Sequence, residues 1–118
     1  MEQSKNNYSL KIYASTTDKI EHELLYEYLV LKARDEELSG TTVTRGIMGF
    51  GASSKIHSSK FWELTEKLPV TIEIIDKQEK LMDFFNLIKK DLNDMPKGCL
   101  VTIEPISVLL YKSGKKKD

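Results

Sequence analysis

Twice along this chain apolar residues alternate at period two, then recur at helical spacing, then alternate again. Leu10, Ile12 and Ala14 occupy every second position, which predicts a strand over 9–14 with one buried side. Leu24, Leu25, Tyr28, Leu29 and Leu31 then form a broad helical stripe that Gly40 stops, so a helix is expected over 20–38. The segment 42–45, rich in β-branched residues, predicts the next strand. The second round begins with a strand over 70–75, entered through Pro69. Leu81, Phe84, Phe85, Ile88, Leu92 and Met95 follow as the clearest amphipathic helix, which Pro96 and Gly98 end. Two short strands are expected over 99–104 and 106–111, with Pro105 between them. Asp18 with Glu21, and Asp76 with Glu79, have capping-box spacing at the two helix starts.

Two βαβ units in 118 residues predict an α+β fold, a ferredoxin-like double βαβ sandwich with both helices on one face of an antiparallel sheet. Alternation assigns Tyr13, Ile75, Leu109 and Tyr111 to the face away from the helices. Apolar side chains there imply a subunit contact. The expected organisation is a disordered N-terminus over 1–8, one domain over 9–112 with an exposed loop at about 49–60, and a basic tail over 113–118.

Lys plus Arg and Asp plus Glu both number 18, a balance that argues against nucleic-acid binding through overall charge. One cysteine, Cys99, excludes an internal disulfide and a multi-cysteine zinc site. Neither an apolar leader nor a run of the roughly twenty apolar residues that cross a bilayer is visible, so membrane insertion is not expected and the reading is cytoplasmic.

The strongest local signal is Gly46, Gly49 and Gly51, three glycines within six positions. Such density suits positive φ or close backbone approach, and the segment lacks the Lys-Ser/Thr that completes a P-loop. Ligand binding through an anion nest and a plain tight turn both remain open. His57 lies among serines, with Ser54 as a conceivable nucleophile, but no carboxylate is near in sequence to orient the imidazole. A surface histidine is the simpler reading, and catalytic residues are not expected. Two histidines and one cysteine, far apart, make a weak metal case. Phe61 and Trp62 read as packing rather than as a stacking platform.

Thr42-Val43-Thr44 followed by Gly49-Phe50-Gly51 resembles the stretch before the large loop of PII signal-transduction proteins, and 68–74 resembles the strand after it. The finer match, Arg45-Gly46-Ile47-Met48-Gly49-Phe50-Gly51-Ala52-Ser53-Ser54-Lys55-Ile56-His57, is similar to the signature of a small prokaryotic PII-like family catalogued as domain of unknown function one-ninety. The resemblance implies a homotrimer with an adenine nucleotide in inter-subunit clefts, and a loop that engages a transporter, channel or enzyme. By the same resemblance Thr42 would face the adenine, and Gly49 and Gly51 would let the backbone approach the ligand. Gly98 would belong to the opposing phosphate loop, and Lys112 would stand for an arginine reaching the phosphates from a neighbouring chain.

Two departures bear on the ligand. Ala52-Ser53 replaces the PII Arg-Gln, and Gly98-Cys99 replaces Gly-Lys. Each lost charge-assisted contact is worth about 1.5–3 kcal/mol. Arg45, Lys55 and His57, with amides from 49 to 54 (Phe50, Ser53 and Ser54 among them), are left to meet an anion. A nucleoside monophosphate or cyclic nucleotide suits that reduced charge better than Mg-ATP, and the residues themselves fix no cofactor. The expected function is a non-enzymatic trimeric regulator. Its rivals are a ligand-free structural trimer and a metal-responsive trimer using His57 and Cys99.

Overall fold

The computed structural model describes residues 6–51, 57–58 and 67–114. Their order is β1 (Asn7–Ser15), β2 (Lys19–Ile20), β3 (Glu23–Leu24), α1 (Leu25–Asp35), β4 (Thr41–Arg45), β5 (Met48–Gly49), β6 (His57–Ser58), β7 (Pro69–Lys77), α2 (Gln78–Asp94) and β8 (Leu100–Pro105). β1, β4, β7 and β8 form one antiparallel sheet in the order β4-β7-β1-β8. Each helix connects two strands that are not neighbours, which is the ferredoxin-like double βαβ arrangement expected from the sequence.

Alternation decides which side chains enter the core. Leu10 lies opposite Ile74, and Ile12 opposite Ile72. These four, with Val70, face Leu25, Leu29 and Ala33 of α1 and Leu81, Phe84, Ile88 and Leu92 of α2. Burying each aliphatic or aromatic side chain contributes about 1.5–3 kcal/mol before entropy is subtracted. Tyr28 Oη donates to Asp91 Oδ2 at 2.6 Å and ties the helices together.

Several boundaries differ from the sequence expectation. β1 begins at Asn7 rather than 9, because the backbones of Asn7 and Tyr8 pair with Lys77 and Asp76. Those two residues are therefore laddered, not part of a disordered end, while 1–5 lie outside the described residues. α1 starts at Leu25 rather than 20, because 19–24 form the β2–β3 hairpin. Asp18 is no helix cap. Its carboxylate accepts the Ser15 N–H at 2.9 Å, and its carbonyl accepts the Leu25 N–H at 2.7 Å. Asp76 does not cap α2 either; the N-cap is Lys77, with no side-chain bond. The strand expected over 106–111 is absent. Pro105 ends β8, the Ile106 N–H donates to the Asn7 carbonyl at 3.0 Å, and only an isolated bridge at Val108 follows. Leu109 and Tyr111 consequently leave the sheet, while Tyr13 and Ile75 stay on its helix-free face.

Met48–Gly49 pairs with His57–Ser58, so the ends of the expected 49–60 loop are a two-stranded stem. The basic tail beyond Gly114 lies outside the described residues.

Candidate functional site

A cleft of about 540 Å³ opens at the end of the sheet where β1 and β4 begin and β7 ends. Thr42, Glu73 and Ile75 line it from the helix-free face, Thr42 lying directly opposite Glu73 in the ladder. Glu73 is oriented by Ser9, a buried residue whose hydroxyl donates to Oε2 at 2.8 Å. A hydroxyl beside a held carboxylate offers hydrogen-bond acceptors to an amino group, and Ile75 offers apolar surface to a ring.

The lip of the cleft is the turn from α1 into β4, with Ser39, Gly40 and Thr41 along its edge. Buried Asp76 pins that turn: its Oδ2 accepts the Ser39 N–H at 2.8 Å and the Ser39 hydroxyl at 3.0 Å, and its Oδ1 accepts the Lys77 N–H at 2.7 Å. Lys80 Nζ adds a second tie at 2.8 Å to the carbonyl of Glu37, just upstream. Val108, Leu110 and Tyr111 make the remaining wall. Asn7 also lines the cleft, buried, with its Nδ2 lacking a partner among the described residues.

The glycine segment lies at the other end of the sheet. The Gly46 N–H donates to the Pro69 carbonyl at 2.7 Å. A Cβ on Gly49 would come within 3.0 Å of Pro69 Cγ, and one on Gly46 within 3.3 Å of the same ring. These two glycines are thus explained by close approach to Pro69. Neither they nor Gly51 takes left-handed backbone, so the positive-φ alternative does not hold. Gly51 has open space where a Cβ would point, and Phe50, Ile47 and Met48 are exposed.

Within one chain the expected ligand residues are therefore divided. Thr42 sits in the cleft, and Lys112, exposed, directly follows the cleft residue Tyr111. Gly49 lies against Pro69, Phe50 and Gly51 follow it in the chain, and Gly98 precedes β8 at that same end. Glu73, the partner of Thr42, is four residues from Pro69 along β7, about 13 Å in extended chain. Arg45 alternates with Thr41 and Val43 toward the helix side and does not line the cleft. The backbone of His57 pairs with Gly49. Ser53, Ser54, Lys55, Phe61 and Trp62 lie outside the described residues. Cys99 is exposed at the head of β8, and partial burial followed by the Asp18 carboxylate raises its thiol pKa, which disfavours a metal-binding thiolate. Among the described residues no group of three or more His, Cys, Asp or Glu is placed to hold a metal, and no helix is long and apolar enough to cross a membrane.

Sequence reasoning missed Asn7, Ser9, Ser39, Glu73, Asp76 and Lys77 as site residues. Glu73 alone carried a signal, as a carboxylate inside an otherwise apolar alternating strand. Asp76 carried a misleading one, because its spacing to Glu79 imitates a capping box.

Comparison with known proteins agrees with this architecture. A UPF0166 protein of Aquifex aeolicus (strain VF5) is 36% identical over 100 residues, covering 85% of this chain and 90% of the relative. A second UPF0166 protein of the same organism is 31% identical over 99 residues, covering 84% and 93%. Among solved structures, a protein of Thermus thermophilus described as PII-like superposes with a TM-score of 0.65 at 18% identity, covering 92% of this chain and 93% of that one. CPII, a nitrogen regulatory PII-like protein from Thiomonas intermedia K12 solved with ADP, AMP and bicarbonate, gives a TM-score of 0.65 at 12% identity, covering 91% of each chain. At such identities the structural likeness speaks for the fold alone. Residues 7–108 match the DUF190 family, described as Uncharacterized ACR, and the chain belongs to that family.

Proposed function

We propose that this protein is a non-enzymatic, PII-like regulator that takes an adenine nucleotide in the cleft beside Thr42, with a second copy of the chain completing the site. The observation that carries the reading is the pairing of Thr42 with Glu73, held by Ser9 and flanked by Ile75, in a cleft of about 540 Å³. Thr42 and Glu73 supply acceptors for an exocyclic amine, and Ile75 supplies a surface for the ring. By the family resemblance the amides near Gly51 and Gly98 meet the phosphates, those of Gly98 from a neighbouring copy. Exposed apolar side chains on the helix-free face, including Tyr13, Ile75 and Leu100, supply the contact between copies, and a trimer is the assembly the family resemblance implies. CPII, solved with ADP and AMP, supports the ligand class at the level of a shared fold.

Occupancy reaches a partner protein through the loop beyond Gly51, because a ligand favours whichever loop conformation binds it more tightly. A second reading is a constitutive trimer with no small ligand. It is favoured by one observation: the loop stem is already seated on Pro69 through Gly46 and Gly49.

Thermal unfolding with AMP, cyclic AMP, ADP and ATP, with and without magnesium, separates the two. A ligand at a hundred times its Kd adds about 2.7 kcal/mol, a Tm shift of several degrees for a domain this size. A shift with one of these nucleotides, accompanied by slower hydrogen exchange over 49–60, is the expected result. Absence of any shift removes the nucleotide reading and leaves the constitutive trimer.

A further inference from the structure

We propose that the segment 106–111 is an assembly strand, which pairs along the outer edge of β4 in a neighbouring copy of the chain; this rests on the assembly reading above and extends it from the helix-free face to the sheet edge. Its sequence, Ile106-Ser107-Val108-Leu109-Leu110-Tyr111, has the β-branched and aromatic residues of a strand. Among the described residues it nevertheless has no ladder beyond the bridge at Val108. Val108 and Leu110 line the cleft, while Leu109 between them is 80% exposed. That alternation belongs to an extended segment with one face seated and a backbone still able to pair.

β4 offers the matching half. It ends the sheet order β4-β7-β1-β8, and among the described residues no strand lies beyond it. The Gly46 N–H donates to the Pro69 carbonyl, one step past the Arg45–Val70 pair, so alternation turns the backbone groups of Thr44 and Thr42 toward β7 as well. Those of Thr41, Val43 and Arg45 point outward, a row of donors and acceptors that an added strand fills.

The two halves cannot pair within one chain. Counted from β8, a strand added outside β4 stands four strand spacings away, about 19 Å. The residues from Ile106 to Tyr111 reach about 20 Å at full extension, so the crossing would use all of them. A neighbouring copy has no such tether. The contact is head to tail, the segment of one copy on β4 of the next, so it repeats round a closed ring rather than ending at two copies. It also bears on the cleft: Val108, Leu110 and Tyr111 are its wall, and the neighbour's β4 fixes that wall in place.

The test combines light scattering with hydrogen exchange on the full chain, for wild type, Arg45→Pro, Arg45→Ala and Leu109→Asp. Proline at 45 removes an outward N–H from an exposed edge residue and keeps the preceding residue extended, whereas alanine retains that N–H. Leu109→Asp places a charge at a position exposed in the single chain. The expected result is a wild-type oligomer whose amides over 107–111 exchange at least tenfold more slowly than in Leu109→Asp. Arg45→Pro and Leu109→Asp are expected to weaken the assembly at least tenfold, and Arg45→Ala to leave it intact. Thermal unfolding shows whether each variant folds, and if Arg45→Pro does not, Leu109→Asp carries the comparison. A wild-type oligomer with fast exchange over 107–111, or one that neither variant weakens, overturns the pairing and leaves the helix-free face as the contact. Arg45→Ala dissociating as readily as Arg45→Pro also overturns it, by giving the role to the side chain. A monomeric wild type overturns the assembly reading and this pairing together.

Discussion

Single side chains in this protein do work that their positions in the sequence disguise. Asp76 has the spacing of a helix cap, yet its carboxylate reaches back to Ser39 and holds the lip of the cleft. Nothing local in sequence announces that bond, because it joins residues 37 positions apart. Tyr28 is similar. Its hydroxyl finds Asp91 on the other helix, and this hydrogen bond, then burial, then nearby carboxylates push its pKa up to about 12. A phenol whose folded pKa lies above its ordinary value of about 10 favours folding below that pH. This contribution is lost as pH rises from about 10 through about 12. Absorbance titration is therefore expected to show a late phenol that Tyr28→Phe removes. The same variant should lower stability at neutral pH by about 1 kcal/mol, the ordinary worth of one hydrogen bond. A titration identical to wild type would mean that Tyr28 and Asp91 do not meet in solution.

At the scale of elements, the loop stem and its seat on Pro69 explain why glycines are needed. Gly46 and Gly49 let two backbones approach, which a side chain would prevent. Gly49→Val places branched carbons where Pro69 Cγ already limits even a Cβ to 3.0 Å, and overpacking of this kind costs about 1–3 kcal/mol. Because the stem is a short two-stranded element, the expected consequence is local: faster amide exchange at 48–49 and 57–58, with the Tm of the core little changed. Combining Gly49→Val with Pro69→Ala should restore much of the protection, since the double variant removes the obstruction. Failure of that rescue would show that Pro69 is not what the glycines accommodate. The glycine signal was legible from the sequence; its cause was not, because a tight approach to a distant proline looks the same in sequence as a phosphate nest.

At the scale of the whole molecule, the divided site makes a demand on assembly. The proposed function places the cleft between copies that associate through the helix-free face. Light scattering on the eluted protein is expected to give three times the 13.6 kDa chain mass. Tyr13→Glu, at an exposed position on that face, should break the assembly, because placing a charge in an apolar contact is costly. It should also abolish any nucleotide-induced Tm shift. A monomeric wild type that still binds nucleotide would overturn the shared-site arrangement.

Much of the fold was readable in advance because it depends on period. Alternation at 10, 12 and 14 and at 70, 72 and 74, with the helical stripe from Leu81 to Met95, specifies which faces must be buried, and burying them together leaves few arrangements besides this sheet and its helices. Period carries no information where short elements and ends are decided by particular hydrogen bonds. The β2–β3 hairpin displaced the start of α1 because Asp18 closed a turn, and the segment after Pro105 left the sheet despite its strand-like residues. The cleft depends still more on tertiary structure. Asn7, Ser39, Glu73 and Asp76 are polar residues scattered along most of the chain, and only the register of β1 against β7 and of β4 against β7 brings them to one end of the sheet. Hydrophobic burial acts on patterns, which a sequence displays directly; a site consists of directional contacts between distant residues, which exist only once the chain has folded.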